Sequence, residues 1–455
     1  MPAESTSDLQ AAIVGAGPSG FYAAEALLRK RPGIRVDMFD RLPTPFGLVR
    51  GGVAPDHPKI KQVSLTYDKI ARSPGFAFWG NVEIGRNLTL EDLSRAYHVV
   101  VLAYGASADR ALGIPGEELH GSHTATEFVG WYNGQPDYQD AAFDLAGESA
   151  VIIGQGNVAA DLARMLATPV DDLRQTDITE QALEALGKSR IRDIHVVGRR
   201  GPAQAKFTSV ELKELGRIRD CVAIVSPQDL QLNAASAAEL ADQRADESRK
   251  NLEIFRAFAA ARADRTARRI IFHFCKTPVR ISGDGMVERI TLAHGALRGA
   301  PFAQTVVPTS EHVDLRCDLV FRSVGYRGLP IPGVEFNAAS GIIPNRKGRC
   351  LCNGEPIPGL YVAGWIKRGA TGIIGTNRAD SVETVESILE DLVQGMATQK
   401  PGIAGLRPAL AEQKVVSYAH WQKIDAAERA RGQPKGKPRE KFTAVTDLIA
   451  AGAAT

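Results

Sequence analysis

An α/β fold of two three-layer units, each built on a largely parallel sheet, is predicted by three features of the 455-residue sequence. A glycine-rich turn joins an apolar strand to a helix-periodic run at 15–20, and a second such turn recurs at 154–159. Further short apolar runs end in glycine turns, VVVLAYGAS at 99–107 and DLVFRSVGY at 318–326. The length is about three times that of an ordinary domain, so two or three cores are expected. A composition of 44% hydrophobic and 24% charged residues is that of a soluble globular chain. The net charge of +3 excludes a general nucleic-acid binder. No apolar run approaches the roughly 18 residues of a membrane span. The first ten residues, MPAESTSDLQ, hold two acids and no arginine, which fits neither a secretory signal nor a transit peptide and points to the cytoplasm.

The first element is the strand AAIV, running into Gly15-Ala-Gly17-Pro-Ser-Gly20 and the helical FYAAEALLRK. Each glycine has its own task. Gly15 permits the turn, Gly17 lets the backbone approach a pyrophosphate, and Gly20 lets helix and strand pack closely. The helix N-terminus then faces the phosphates. A second strand, Ile34–Phe39, leads to Asp40, an acid placed to accept ribose hydroxyls.

The pattern returns at Gly154-Gln-Gly156-Asn-Val-Ala159, between SAVIIG and the helical DLARML. Alanine in the third place is tolerated by the fingerprint. The next strand, Asp193–Gly198, arrives after a helical excursion over Thr168–Lys188 and ends in Arg199-Arg200 instead of an acid. Paired guanidinium groups can clamp a 2′-phosphate that a carboxylate would repel; the bland alternative is a solvated arginine pair. An acid in one unit and an arginine pair in the other assign FAD to the first and NADPH to the second, which implies hydride transfer. Two Rossmann-like dinucleotide-binding domains follow. Late in the chain, the strand Gly359–Gly364, Trp365 and the turn Gly369–Gly375 precede a helix starting near Asn377, where the second half of the flavin site is expected.

Five scattered cysteines argue against a disulfide framework, and no C-x-x-C dithiol pair is present. Cys221, Cys275 and Cys317 read as strand or core residues. Cys350 and Cys352 form a C-x-C that could hold a metal only with two further soft ligands from elsewhere.

Beyond these turns, several longer stretches resemble the adrenodoxin-reductase-like NADPH:ferredoxin reductases, including their bacterial members. They are LPTPFGLVRGGVAPDHPKIK at 42–61, FWGNVEIG at 78–85, FVGWYNG at 128–134, VVGRRGPAQAKFT at 196–208, SVGYRG at 323–328 and GWIKRGATGIIGTN at 364–377. HWQKID at 420–425 and GQPKGKPR at 432–439 extend the likeness almost end to end. The resemblance implies an NADP-binding domain, 109–326, inserted into a discontinuous FAD-binding domain, 1–108 and 327–455. It implies FAD contacts at Gly15, Gly17, Ser19, Gly20, Asp40, Leu48, Ile84, Trp365, Gly372, Ile373 and Ile374. It places NADP contacts at Gln155, Gly156, Asn157, Val158, Arg199, Arg200 and Glu211. Two positions depart from the family's habit: Asp40 where Glu is frequent, and Ala370 where Pro is frequent. The segment around Leu232–Arg268 is too variable to carry over.

The implied activity is electron transfer from NADPH through FAD to a small acidic iron–sulfur ferredoxin, with a flavodoxin as the other candidate acceptor, and no nucleic acid or membrane involved. His57, in the APDHPK loop, is expected beside the flavin to move a proton or orient the nicotinamide, or else simply to fix the loop. Glu214, one turn after Glu211, is expected to present a carboxylate toward the nicotinamide, the alternative being a solvated helix acid. Trp365 either stacks near the flavin ring or fills the core. Lys206, Lys213, Arg217, Arg219, Lys367 and Arg368 are candidates for a basic docking face, and the cluster at 435–441 for a surface loop. Two rival functions are an NADPH-dependent flavin monooxygenase, distinguished by substrate-dependent oxygen uptake, and a flavin redox sensor without turnover.

Overall fold

A computed structural model describes residues 9–261, 268–393 and 399–454. The first eight residues, which bear on targeting, and part of the 232–268 segment lie outside the described residues. The chain divides into two compact units, one of Met1–Ala108, Asn133–Gln139 and Tyr326–Thr455, the other of Asp109–Tyr132 and Asp140–Gly325. Residues 133–139, placed by sequence in the middle domain, pack in the first unit. Arg41 pairs there with Asp137, and Asn133 accepts from Lys61 and Lys441, each at 3.4 Å.

In the first unit a seven-stranded sheet has the order 345–346, 349–352, 355–362, 99–102, 10–14, 35–40, 76–80. Strand Gln10–Val14 lies between Arg35–Asp40 and Val99–Leu102, parallel to both. Its alternation explains the unbroken apolar sequence. Ala11 and Ile13 face Phe21 and Leu27 of helix Pro18–Lys30 and Ile388 of helix Thr376–Val393. Ala12 and Val14 face Leu93, Ile343 and Ile366. Burial on both faces makes such a strand apolar throughout, each large side chain contributing about 1.5–3 kcal/mol. The chain leaves this strand for one neighbour and returns to the other, so its C-terminal end, at Gly15, is the switch point where α/β sheets place ligands.

The sheet is not parallel throughout. Strands Asn345–Arg346, Arg349–Cys352 and Glu355–Val362 pair antiparallel. Two tight turns cause this, Lys347-Gly348 at φ +49° and +85° and Asn353-Gly354 at φ +52° and +85°. Two consecutive positive φ values are the hairpin geometry that Asn-Gly favours.

The second unit holds a six-stranded sheet ordered 122–124, 319–322, 149–153, 193–197, 268–273, 221–225, with every neighbouring pair parallel. Its third layer is partly a three-stranded antiparallel sheet, Lys276–Ser282, Arg289–Arg298 and Thr305–Arg316. Ile281, Ile290 and Leu292 of that sheet pack on Val151, Ile153 and Val197, covering one face of the parallel sheet. Among the described residues no helix is long and apolar enough to cross a membrane.

Candidate functional site

The first glycine turn performs the three tasks separately. Gly15 stands at φ +109°, and a Cβ there would lie 2.5 Å from Ala103 O. A Cβ on Gly20 would lie 2.1 Å from Gly15 O, whereas one on Gly17 would meet nothing within 4 Å. Gly17 is the N-cap of helix Pro18–Lys30, with no capping side chain. A helix N-terminus left open above a glycine is a cradle for an anion.

Asp40 closes the turn from the neighbouring strand. One carboxylate oxygen accepts Ala16 N–H at 2.8 Å and the other accepts Leu42 N–H at 2.9 Å. Burial pushes its pKa up against the pull of these two amides. Each oxygen retains a lone pair, so the acid holds the turn with acceptor capacity to spare.

Ser19 ties the cradle to the late helix. Its hydroxyl donates to Asn377 Oδ1 at 3.1 Å, and its carbonyl accepts Ser381 Oγ at 3.0 Å. Gly364, at φ +80°, is required here, because a Cβ would come 2.2 Å from Ser19 Oγ. Trp365 is half-buried, stacks on Tyr326 at 5.6 Å and donates from Nε1 to Thr371 O at 3.2 Å. The following turn keeps Gly372 and Ile373 exposed, Ile373 donating its N–H to Thr376 Oγ1. Ile374 is half-buried on the core around Ile13. Leu48 is exposed at the start of helix Leu48–Gly51, while Ile84 is buried in the core with Val14 and Phe39. His57 is half-exposed, and its backbone fixes the loop: its N–H reaches Ala54 O and its carbonyl accepts Ile60 N–H, both at 3.1 Å.

The second turn repeats the design. Gly154 stands at φ +149° with a would-be Cβ 2.1 Å from Ser323 O, and Gly156 faces open space as the uncapped N-cap of helix Asn157–Ala167. Val158 is half-buried in the first turn of that helix. Gln155 O accepts Lys206 N–H at 2.7 Å and Asn157 Oδ1 accepts Thr208 N–H at 2.8 Å, tying the 202–208 loop to the turn. The Gln155 side chain lies where a Cβ on Gly198 would sit, and its buried Nε2 has no protein partner among the described residues. An unpaired buried amide beside the cradle fits a ligand that supplies an acceptor.

Arg199 is exposed and Arg200 half-buried. Among the described residues neither guanidinium makes a hydrogen bond or ion pair. Burial and the neighbouring Arg199 charge pull the Arg200 pKa down against the opposing pull of Glu239. Glu211 is buried against Arg164 at 3.3 Å, and Glu214 meets the same guanidinium at 3.5 Å. Glu214 is therefore a paired acid, not a simply solvated one.

Several basic residues read as surface are not. Lys367 is 7% exposed and bound by Asp380 at 3.1 Å and Glu383 at 2.6 Å. Lys437 and Lys441 are also buried, Lys437 against Glu440. Cys350 is buried and Cys352 exposed, on one strand. Residues two apart along a strand share a face only in a regular ladder, and the pairing shifts register between Arg349 and Leu351. Sequence reasoning missed a buried polar cluster beside Arg200, in which Glu239 accepts from Gln204 at 2.7 Å and Gln304 at 2.8 Å.

Two glycine cradles on parallel sheets, one closed by an acid and the other flanked by an arginine pair, define a pyridine-nucleotide oxidoreductase. A family model described as pyridine nucleotide-disulphide oxidoreductase matches residues 9–189. The chain is 44% identical over 456 residues to NADPH-ferredoxin reductase FprA of Mycobacterium leprae, covering 97% of this chain and 98% of that one. It is also 44% identical to the mitochondrial NADPH:adrenodoxin oxidoreductase of Homo sapiens, covering 97% and 91%. A solved structure of Mycobacterium tuberculosis FprA in complex with NADPH superposes with a TM-score of 0.93 at 42% identity, covering 98% of this chain and all of that one. The chain belongs to this family of NADPH–ferredoxin and NADPH–adrenodoxin reductases.

Proposed function

We propose that the protein is an FAD-dependent ferredoxin–NADP+ reductase, carrying electrons from NADPH to a ferredoxin-type iron–sulfur protein. The observation that carries the assignment is the asymmetry between two like cradles: Asp40 beyond one, Arg199 and Arg200 beyond the other. A plain ribose suits the acid and a 2′-phosphorylated one suits the arginines. Bound FAD supplies the conversion of a two-electron hydride into single electrons that a cluster can accept.

The residues of this chain bind and orient. Gly17 and the helix start behind it would hold the flavin pyrophosphate, Asp40 its ribose, and the Trp365–Ile374 segment the ring end. Gly156 to Val158 would hold the nicotinamide pyrophosphate, and Arg199 and Arg200 the 2′-phosphate. We assign 1–108 with 327–455 to FAD and 109–326 to NADP, the 133–139 segment excepted. His57 is assigned a proton-handling or orienting role at the flavin and Glu214 a role toward the nicotinamide, with Glu211 fixing Arg164 beside it.

The partner is a small acidic ferredoxin, with flavodoxin a second acceptor to be tested. Lys206, Lys213 and Arg217 remain exposed candidates for docking it, whereas Lys367 is consumed internally and Arg219 is held by Asp172 at 3.2 Å. The cytoplasm is the assigned compartment; the eukaryotic relatives are named mitochondrial.

The test is steady-state reduction of ferredoxin by NADPH and by NADH. Replacing Arg199 and Arg200 with Gln removes charge-assisted bonds worth about 1.5–3 kcal/mol each, so the KM for NADPH rises at least about tenfold. The KM for NADH stays nearly constant; an equal rise for both would remove the clamp.

A further inference from the structure

The segment after Pro45 carries backbone strain that the α/β framework does not require. Phe46 stands at φ +84° and Gly47 at φ +49°. A bulky residue at positive φ is a steric outlier and persists only where its surroundings enforce it. Part of the enforcement comes from the first cradle: Phe46 N–H donates to Ala16 O at 2.8 Å, and a Cβ on Gly47 would approach Gly17 Cα to 2.9 Å. The rest comes from the C-terminal tail of the same unit. The Phe46 ring meets Trp421 edge-on at 5.6 Å. Arg50, in the short helix that begins at Leu48, forks onto Glu428 at 2.8 and 2.5 Å and lies 5.2 Å over the Trp421 ring.

Glu428 is fully buried. Burial pushes its pKa up, yet Arg50 and Arg439 outweigh that and hold it below the usual carboxylate range. Its carboxylate also accepts Arg439 Nη1 at 3.2 Å and Phe442 N–H at 3.1 Å. A buried ion pair is a poor source of stability compared with apolar residues of the same volume. What a bidentate fork adds is orientation, and the element oriented here presses on the pyrophosphate turn and carries Leu48.

We propose that the tail segment 418–442 is a clasp on the flavin loop and that Glu428, acting through Arg50, is a positioning residue for FAD. The inference rests on the assignment of FAD to this unit. Loss of the fork frees Phe46 to relax out of positive φ, which carries Gly47 away from Gly17 and Leu48 away from its place.

The experiment measures FAD dissociation constants and visible-range circular dichroism of the bound flavin in the full chain. Four forms are compared: wild type, Arg50→Lys, Glu428→Gln and the double Arg50→Met, Glu428→Met. Both single variants should bind FAD at least about tenfold more weakly with an altered flavin spectrum. The double variant should be more stable without FAD than Glu428→Gln, though below wild type because Arg439 Nη1 and Phe442 N–H lose an acceptor, yet still bind FAD weakly, because apolar contact replaces stability and not orientation. If Glu428→Gln does not fold, Arg50→Lys decides, since it keeps the charge and loses only the fork. Wild-type affinity and spectrum in folded Arg50→Lys or in the double variant would overturn the clasp. A wild-type chain that binds no FAD would overturn the FAD assignment and the clasp together.

Discussion

Gly156→Ala separates what the second cradle does for the ligand from what it does for the fold. At φ −126° and ψ 179° the residue sits in a region open to alanine, and the added Cβ meets no atom within 4 Å. Two small terms remain for the ligand-free protein. Alanine is a worse N-cap than glycine, costing about 0.5–1 kcal/mol. It also restricts the unfolded chain, returning about 0.4–1 kcal/mol. They nearly cancel, so the melting temperature without nucleotide should hardly move. A methyl carbon needs about 3.5–4 Å to its neighbours, whereas an amide–phosphate bond needs about 2.7–2.9 Å. The pyrophosphate is therefore held off the turn, and one lost charge-assisted bond costs about 1.5–3 kcal/mol, or roughly 10- to 150-fold in affinity. Titration with NADP+ and thermal melting with and without it measure both halves. Unchanged NADP+ affinity in a stable Gly156→Ala protein would refute the placement of the pyrophosphate. Gly154→Ala is the internal contrast: with its Cβ 2.1 Å from Ser323 O, it should lower stability even without ligand.

Three shorter predictions test other parts of the site. Native alkylation should label Cys352 quickly and Cys350 hardly at all, because Cys352 is exposed while burial pushes the Cys350 thiol up to about 12; peptide mass mapping reads this directly. His273 is pulled down to about 4 by burial and by His195, 2.9 Å away. Its contribution to stability should be complete above about pH 6.5 and be lost as the pH falls toward 4, a slope in urea midpoints that His273→Gln should flatten. In Glu214→Gln, Arg164 keeps Asp161 at 2.6 Å and Glu211, so stability should fall by at most about 1 kcal/mol. A drop of about tenfold in kcat with little change in KM supports a role at the nicotinamide, and wild-type kinetics would reduce Glu214 to a partner of Arg164.

The glycine turns were legible because their requirements are local. Positive φ at Gly15 and close packing at Gly20 are demands on single positions, and the same run of residues that makes the turn also supplies the strand and helix around it. Arg199-Arg200 was legible for the same reason, standing at the end of its strand. The hairpin at Asn353-Gly354 carries an equally local signal, an Asn-Gly pair at the turn. The antiparallel sheet was harder. Strand Arg289–Arg298 buries Ile290, Thr291, Leu292 and Ala293 in succession, so it lacks the alternation that marks a half-exposed strand. Lys367, Lys437 and Lys441 look like solvent-facing charge in sequence. Lys367 and Lys441 are buried because Asp380, Glu383 and Asn133 are brought in by folding, and nothing in a window around either lysine announces them; Glu440 stands three residues from Lys437, but its burial with that lysine is set by the rest of the fold. The Arg50–Glu428 pair spans 378 residues, so no local pattern connects its members.

The two cradles differ in how much of their work is completed before a ligand arrives. In the first, Asp40 already holds Ala16 and Leu42, Ser19 is tied to Asn377, and a strained loop is pinned to the turn by Arg50 and Glu428. Binding there pays little further ordering entropy, the condition for tight retention. In the second, Arg199 is exposed, Arg200 feels the charges of both Arg199 and Glu239, and Gln155 Nε2 is buried without a protein acceptor among the described residues. A phosphate held there would have to order the exposed Arg199 side chain, and that entropy cost favours exchange over retention. A resident flavin and an exchanging nicotinamide require this division. The two turns share one backbone solution, so the difference in residence must come from the residues around them.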